Sequence, residues 1–123
     1  MFKKLNINPK NNITNDCVIR AIAKAENKSW YEVFDVLSGI ARDYCSSING
    51  KDVYGKYLAK YPNINVKIGV NGNRRRYTVK DICRLQGTYI IQVASHFTVV
   101  IDGIHYDTWD CGHKSAYKIW QVK

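Results

Sequence analysis

Asn15-Asp16-Cys17-Val18-Ile19-Arg20-Ala21-Ile22-Ala23 is the stretch on which the reading of this chain turns. Cys17, Val18, Ala21, Ile22 and Ala25 recur at helical spacing, and Arg20, Lys24 and Asn27 follow at i, i+4 and i+7 on the other side. An amphipathic helix is therefore expected to open here and fade near Asn27-Lys28. Thr14, Asn15 and Asp16 each carry a short side-chain oxygen able to cap its free N–H groups. Cys17 then sits in the first helical turn, near the positive end of the macrodipole, which favours thiolate over thiol. A helix cysteine taken alone is more often a small buried hydrophobe. To be a nucleophile it needs a base, which the rest of the chain must supply.

Upstream, Lys10 to Asn15 is rich in asparagine and reads as a loop, and Phe2 to Pro9 reads as an edge strand or an extended arm. Downstream, Ser29 followed by Glu32 matches a capping box. Trp30, Val33, Phe34, Leu37, Ala41 and Tyr44 then share one face of a second helix. A third, short helix is expected over Asp52 to Tyr61, with Val53, Tyr57, Leu58 and Tyr61 inward and Pro62 just past its end. From Asn63 the period changes to two: Ile64, Val66, Ile68 and Val70 alternate with polar or small residues, as in a half-buried strand. Asn71-Gly72-Asn73 reads as a turn, and Thr78 with Asp81 as the start of a short helix that stops at Gly87.

Beyond that point the chain reads as sheet. Strands are expected over Thr88 to Ala94, His96 to Ile101, Ile104 to Trp109 and Ala116 to Val122, with Asp102-Gly103 as a two-residue hairpin turn and Cys111 to Ser115 as a loop. Helices first and an antiparallel sheet after them predict an α+β fold, formed by residues 1–123 as one domain. The 46% hydrophobic and 12% aromatic content suits a globular chain. No apolar run approaches the roughly 20 residues that span a bilayer, and Met1 to Asn6 has lysines but no apolar core of a secretion signal. A cytoplasmic setting, with Cys17, Cys45, Cys83 and Cys111 as free thiols, is expected on that basis.

The hairpin supplies the base. A two-residue turn pairs Ile101 with Ile104 and, counting outward, sets His96 opposite Trp109. Thr98, Asp107 and Trp109 then share the face of His96, and Asp107 is its diagonal neighbour. A carboxylate on one imidazole nitrogen fixes the ring and leaves the other nitrogen free to act on a thiol. Cys17, His96 and Asp107 thus have the types of a nucleophile, a base and an orienter.

A cysteine opening an early helix, a histidine at the head of a later strand and an acid on the next strand resemble papain-like cysteine peptidases. Asp107-Thr108-Trp109 is similar to the Asn-Ser-Trp of papain, in which the tryptophan covers the histidine–orienter bond. Closer still is the likeness to a group of small bacterial and phage proteins of that fold, carried by Asp16 to Ile22, Gly87 to Ile90 and Asp102 to Asp110. The resemblance implies N-terminal helices, nucleophile helix first, packed on a C-terminal antiparallel sheet. It implies hydrolysis of a peptide or protein substrate through a thioester at Cys17, with no cofactor, inside a bacterial cell. It also implies an oxyanion site, normally the cysteine's own N–H and an upstream glutamine. No glutamine precedes Cys17; Asn11, six residues upstream, and Asn12 beside it are the candidates. Trp109 would cover the site.

A net charge of +9 permits a different function, a non-catalytic basic binding protein of the same fold, phage-encoded and acting on a host protein or nucleoprotein, with an acidic protein or nucleic acid as the partner of its basic surface. Arg74, Arg75 and Arg76 are the densest basic run and the candidate anion-binding residues for it. Cys111-Gly112-His113, His105 and Cys83 are zinc-ligating types, but only one close pair exists, so no metal is expected.

Overall fold

The periodic stretch around Cys17 folds as predicted, into a helix, in a computed structural model that describes the backbone of residues 1–70 and 73–123 and their side chains apart from 68–70, 73 and 74. Strand β1 (Phe2–Lys4) comes first, then α1 (Cys17–Glu26), α2 (Trp30–Tyr44) and α3 (Lys51–Leu58). Burial on α1 is wider than its apolar stripe: Val18, Ile19, Ala21, Ile22, Ala23 and Ala25 are all buried. The Ser29–Glu32 capping box forms reciprocally, with Oγ accepting from the Glu32 N–H at 3.1 Å and Oε1 accepting from the Ser29 N–H at 3.2 Å. Val33, Leu37 and Ala41 of α2 face inward, while Phe34 and Tyr44, expected on the same face, remain 37% and 46% exposed. Phe34 instead stacks on Trp30, ring centroids 5.0 Å apart. Glu26, at the end of α1, accepts hydrogen bonds from the Tyr57 and Tyr61 hydroxyls and so ties α1 to α3 and the turn after it.

Strand β2 (Lys67–Val70) starts later than its alternation suggests and pairs antiparallel with β3 (Asn73–Arg76), Lys67 opposite Arg76. The arginine run is thus a return strand. The first two positions of the Asn71-Gly72-Asn73 turn lie outside the described residues. Helix α4 (Val79–Ile82) carries the Thr78–Asp81 capping box but ends well short of Gly87.

Strands β4 (Thr88–Val93), β5 (His96–Ile101), β6 (Ile104–Asp107) and β7 (Lys118–Gln121) form one sheet with β1, in the order β1-β6-β5-β4-β7. Only the β1–β6 pair is parallel. The class is α+β, with four helices and a five-stranded, mostly antiparallel sheet among the described residues. Both faces of β4 and β5 are covered. Ile90, Phe97, Val99 and Trp120 pack with Val18, Ile22, Leu37 and Leu58 of the helices. Ile91, Val93, Val100 and Ile119 pack on the opposite face with Val79 and Ile82 of α4 and with Cys111 and Ala116. Alternation along each strand therefore sorts apolar residues between two cores, not between core and solvent. Among the described residues no helix is long and apolar enough to cross a membrane.

Candidate active site

The site is set by the turn between β5 and β6. Asp102 and Gly103 both have positive φ, 47° and 83°, as a hairpin turn whose twist matches its strands requires. The ladder pairs Ile101 with Ile104, Val100 with His105 and Val99 with Tyr106. Its continuation brings His96 beside Asp107, with His96 Nε2 donating to Asp107 Oδ2 at 2.6 Å. Asp107 Oδ1 accepts from the Thr108 N–H at 2.6 Å. The carboxylate is 4% exposed as a residue and its backbone is paired to Lys4 on β1. Burial raises the Asp107 pKa, but hydrogen bonds from His96 and Thr98, the His96 charge and the Thr108 N–H outweigh it and hold the carboxyl at about 2.

Cys17 is the first residue of α1. It shares a cleft of about 240 Å³ with His96, alongside Asn15, Asn49, Tyr54 and Gln92. Because Asp107 takes Nε2, Nδ1 is the imidazole nitrogen left for the thiol. Burial pushes the Cys17 thiol up; hydrogen bonding with His96 and the Phe97 backbone, with the charges of His96 and Arg20, overcomes this and leaves it below its ordinary value. Burial likewise pulls His96 down, but its bonds to Asp107, Cys111 and Cys17 and the Asp107 charge raise it to about 11. Both shifts favour the thiolate–imidazolium pair.

The N-cap behaves differently from expectation. Asp16 occupies that position without capping the helix. Its buried carboxylate turns away and accepts from Arg20 Nε at 2.7 Å, Trp30 Nε1 at 2.9 Å and Asn8 Nδ2 at 3.0 Å. The N–H groups of the first turn of α1 keep their free donors as a result. Arg20, assigned by spacing to the outer side of α1, points inward. Its Nη1 donates to Asp107 Oδ1 at 3.2 Å while Nε holds Asp16. This cation between two buried carboxylates is the residue of the candidate site that periodicity missed. Its one signal in the sequence is the Asp16–Arg20 i, i+4 spacing.

The other candidates fare unevenly. Asn11 and Asn12 are exposed on the loop, where their N–H groups bond back to Asn8, and neither lines the cleft. Asn15 lines it instead, and its side-chain amide has no partner among the described residues. Trp109, 42% exposed, lies with its ring centroid 5.2 Å from that of His96. Arg75 pairs with Asp81 at 2.7 Å, and Arg76 donates to the Ala116 carbonyl at 3.0 Å and lies over the Tyr117 ring. Arg75 and Arg76 are both exposed residues with these local partners; the side chain of Arg74 lies outside the described residues. His96, Asp107 and Cys111 each offer one metal-ligating atom, all within 4.8 Å of one another. Comparison with protein-family models, curated proteins and solved structures gives no match.

Proposed function

We propose that this chain is a papain-like cysteine hydrolase acting on a peptide or protein substrate. The observation that carries the reading is His96, bonded through Nε2 to the buried carboxylate of Asp107 and facing the Cys17 thiol across one cleft. The Cys17 thiolate attacks an acyl carbon. The C–N or C–O bond breaks, and His96 gives its proton to the leaving group. Water, losing a proton to the now neutral His96, attacks the thioester; the C–S bond breaks and the ion pair returns. The Cys17 backbone N–H, free at the start of α1, and the Asn15 amide are the donors for the oxyanion. A cleft of about 240 Å³ suits an extended segment crossing it better than an enclosed small molecule.

The pH dependence follows from the two shifts. Activity rises as Cys17 ionises, below its ordinary value of 9.0, and falls as His96 loses its proton near about 11. Iodoacetamide at neutral pH tests the pair directly. Cys17 should react about tenfold or more faster than the more exposed Cys45, the ratio that a lowered thiol pKa gives. His96→Ala should remove the difference. Equal labelling of Cys17 and Cys45 in the native chain would end the proposal.

A further inference from the structure

We infer that Cys111, Asp107 and the two histidines flanking them form a binding site for a divalent transition ion of the zinc class. Cys111 and His105 have no part in the hydrolytic steps, yet they are 0% and 2% exposed and lie against the orienting carboxylate. Cys111 Sγ is 3.5 Å from His105 Nε2 and 3.8 Å from Asp107 Oδ2, and those last two atoms are 3.9 Å apart. Tetrahedral zinc, with bonds of about 2.0–2.3 Å, sets its ligand atoms about 3.3–3.6 Å apart. Three donors thus stand within a few tenths of an ångström of the required triangle. His96, whose ligand atom lies within 4.8 Å of those of Asp107 and Cys111, supplies a fourth through Nε2; its 2.6 Å separation from Oδ2 must open as the ion replaces the proton between them, and the ion must draw the two imidazoles together.

Thiolate, imidazole and carboxylate in this mixture suit zinc or cobalt and not magnesium or calcium. The outer nitrogen of His105, Nδ1, faces Asp110 Oδ1 at 3.8 Å, the side on which a metal-bound imidazole is commonly supported. A cavity of about 160 Å³, lined by Met1, Phe2, Lys80, Cys83, His105 and Asp110, reaches His105 but none of the other three ligands, so an ion entering there must pass the His105 ring. Binding releases the Cys111 thiol proton and the His96 Nε2 proton to solvent. An occupied site takes both Asp107 and His96 out of the hydrolytic relay, so the ion acts as an off-switch; this last consequence alone rests on the hydrolase reading.

Cobalt(II) titrated into the metal-free, full-length chain tests the site. Thiolate-to-cobalt absorption should appear with one ion per chain and persist in Cys17→Ser. In Cys111→Ser the affinity should fall by more than about 100-fold, beyond what losing a supporting group costs. Should that variant not fold, X-ray absorption on zinc-loaded wild type and Cys17→Ser gives the same answer: one sulfur at about 2.3 Å in both. No binding, no sulfur, or a sulfur that disappears with Cys17→Ser overturns the inference. None of these readouts involves hydrolysis, so they stand or fall apart from the proposed activity.

Discussion

Arg20 decides how two buried acids coexist. Asp16 and Asp107 have side-chain exposures of 4% and 2%, and the guanidinium bridges them with Nε and Nη1. A planar fork can reach both carboxylates at once, whereas a lysine ammonium is a point charge that serves one. Arg20→Met should therefore cost about 3 kcal/mol, as when one partner of a buried ion pair is removed, read as a lower urea midpoint at unchanged slope. Arg20→Lys should recover only part of it. At this scale the sequence was legible where one local rule applied. Alternation along two strands brings His96 to Asp107, and helix spacing sets Cys17 at a helix start. Arg20 and Asp16 were not legible, because a polar residue on a polar helix stripe reads as solvated until a buried acid from another strand is known to meet it.

The β5–β6 hairpin aligns the imidazole with the carboxylate, and its tip is fixed from outside as well as by its own turn. The Gly87 N–H donates to Asp102 Oδ1 at 2.9 Å, and the Asp102 N–H donates to the Gly87 carbonyl at 2.8 Å. Gly103 has φ of 83°, and a Cβ there would lie 2.9 Å from the Cys83 carbonyl oxygen. Gly103→Ala should thus cost at least about 1–2 kcal/mol for the left-handed backbone, measurable by urea unfolding. If the variant's stability matches wild type, the turn is not what holds the register. Elements with local signatures were readable in advance: both capping boxes and the Asp-Gly turn are short-range chemistry. Element ends were less so. Trp109 leaves β6 because the ladder stops at Asp107, and β3 was hidden by a run of arginines with no apolar alternation to mark it.

At the scale of the whole molecule, the sheet holds a buried charge cluster against the start of α1, where Arg20 reaches Asp107, so the His96–Asp107 pair contributes to folding. His96 is raised from 6.5 to about 11 on folding, so its contribution is complete below pH 6.5 and disappears as pH climbs toward 11. Asp107 is lowered from 3.8 to about 2, so its contribution is present above pH 3.8 and is lost as pH falls toward 2. The pair should stabilise the fold most between about pH 4 and 6.5. The gap in urea midpoint between wild type and His96→Gln should narrow steadily from pH 6.5 upward; a constant gap would refute the linkage. What was hard to foresee is the second core under α4, since strands buried on both faces alternate between two apolar environments and disguise their sidedness. The separation in sequence between α1 and the hairpin has a consequence for biosynthesis. The sulfur leaves the ribosome first, and its imidazole and carboxylate emerge only after helices α2 to α4 and strands β2 to β4 have followed it. Until then Cys17 lacks the His96 and Phe97 contacts that lower its pKa, so the nascent chain carries an ordinary sulfhydryl that becomes acidic only once the hairpin has docked.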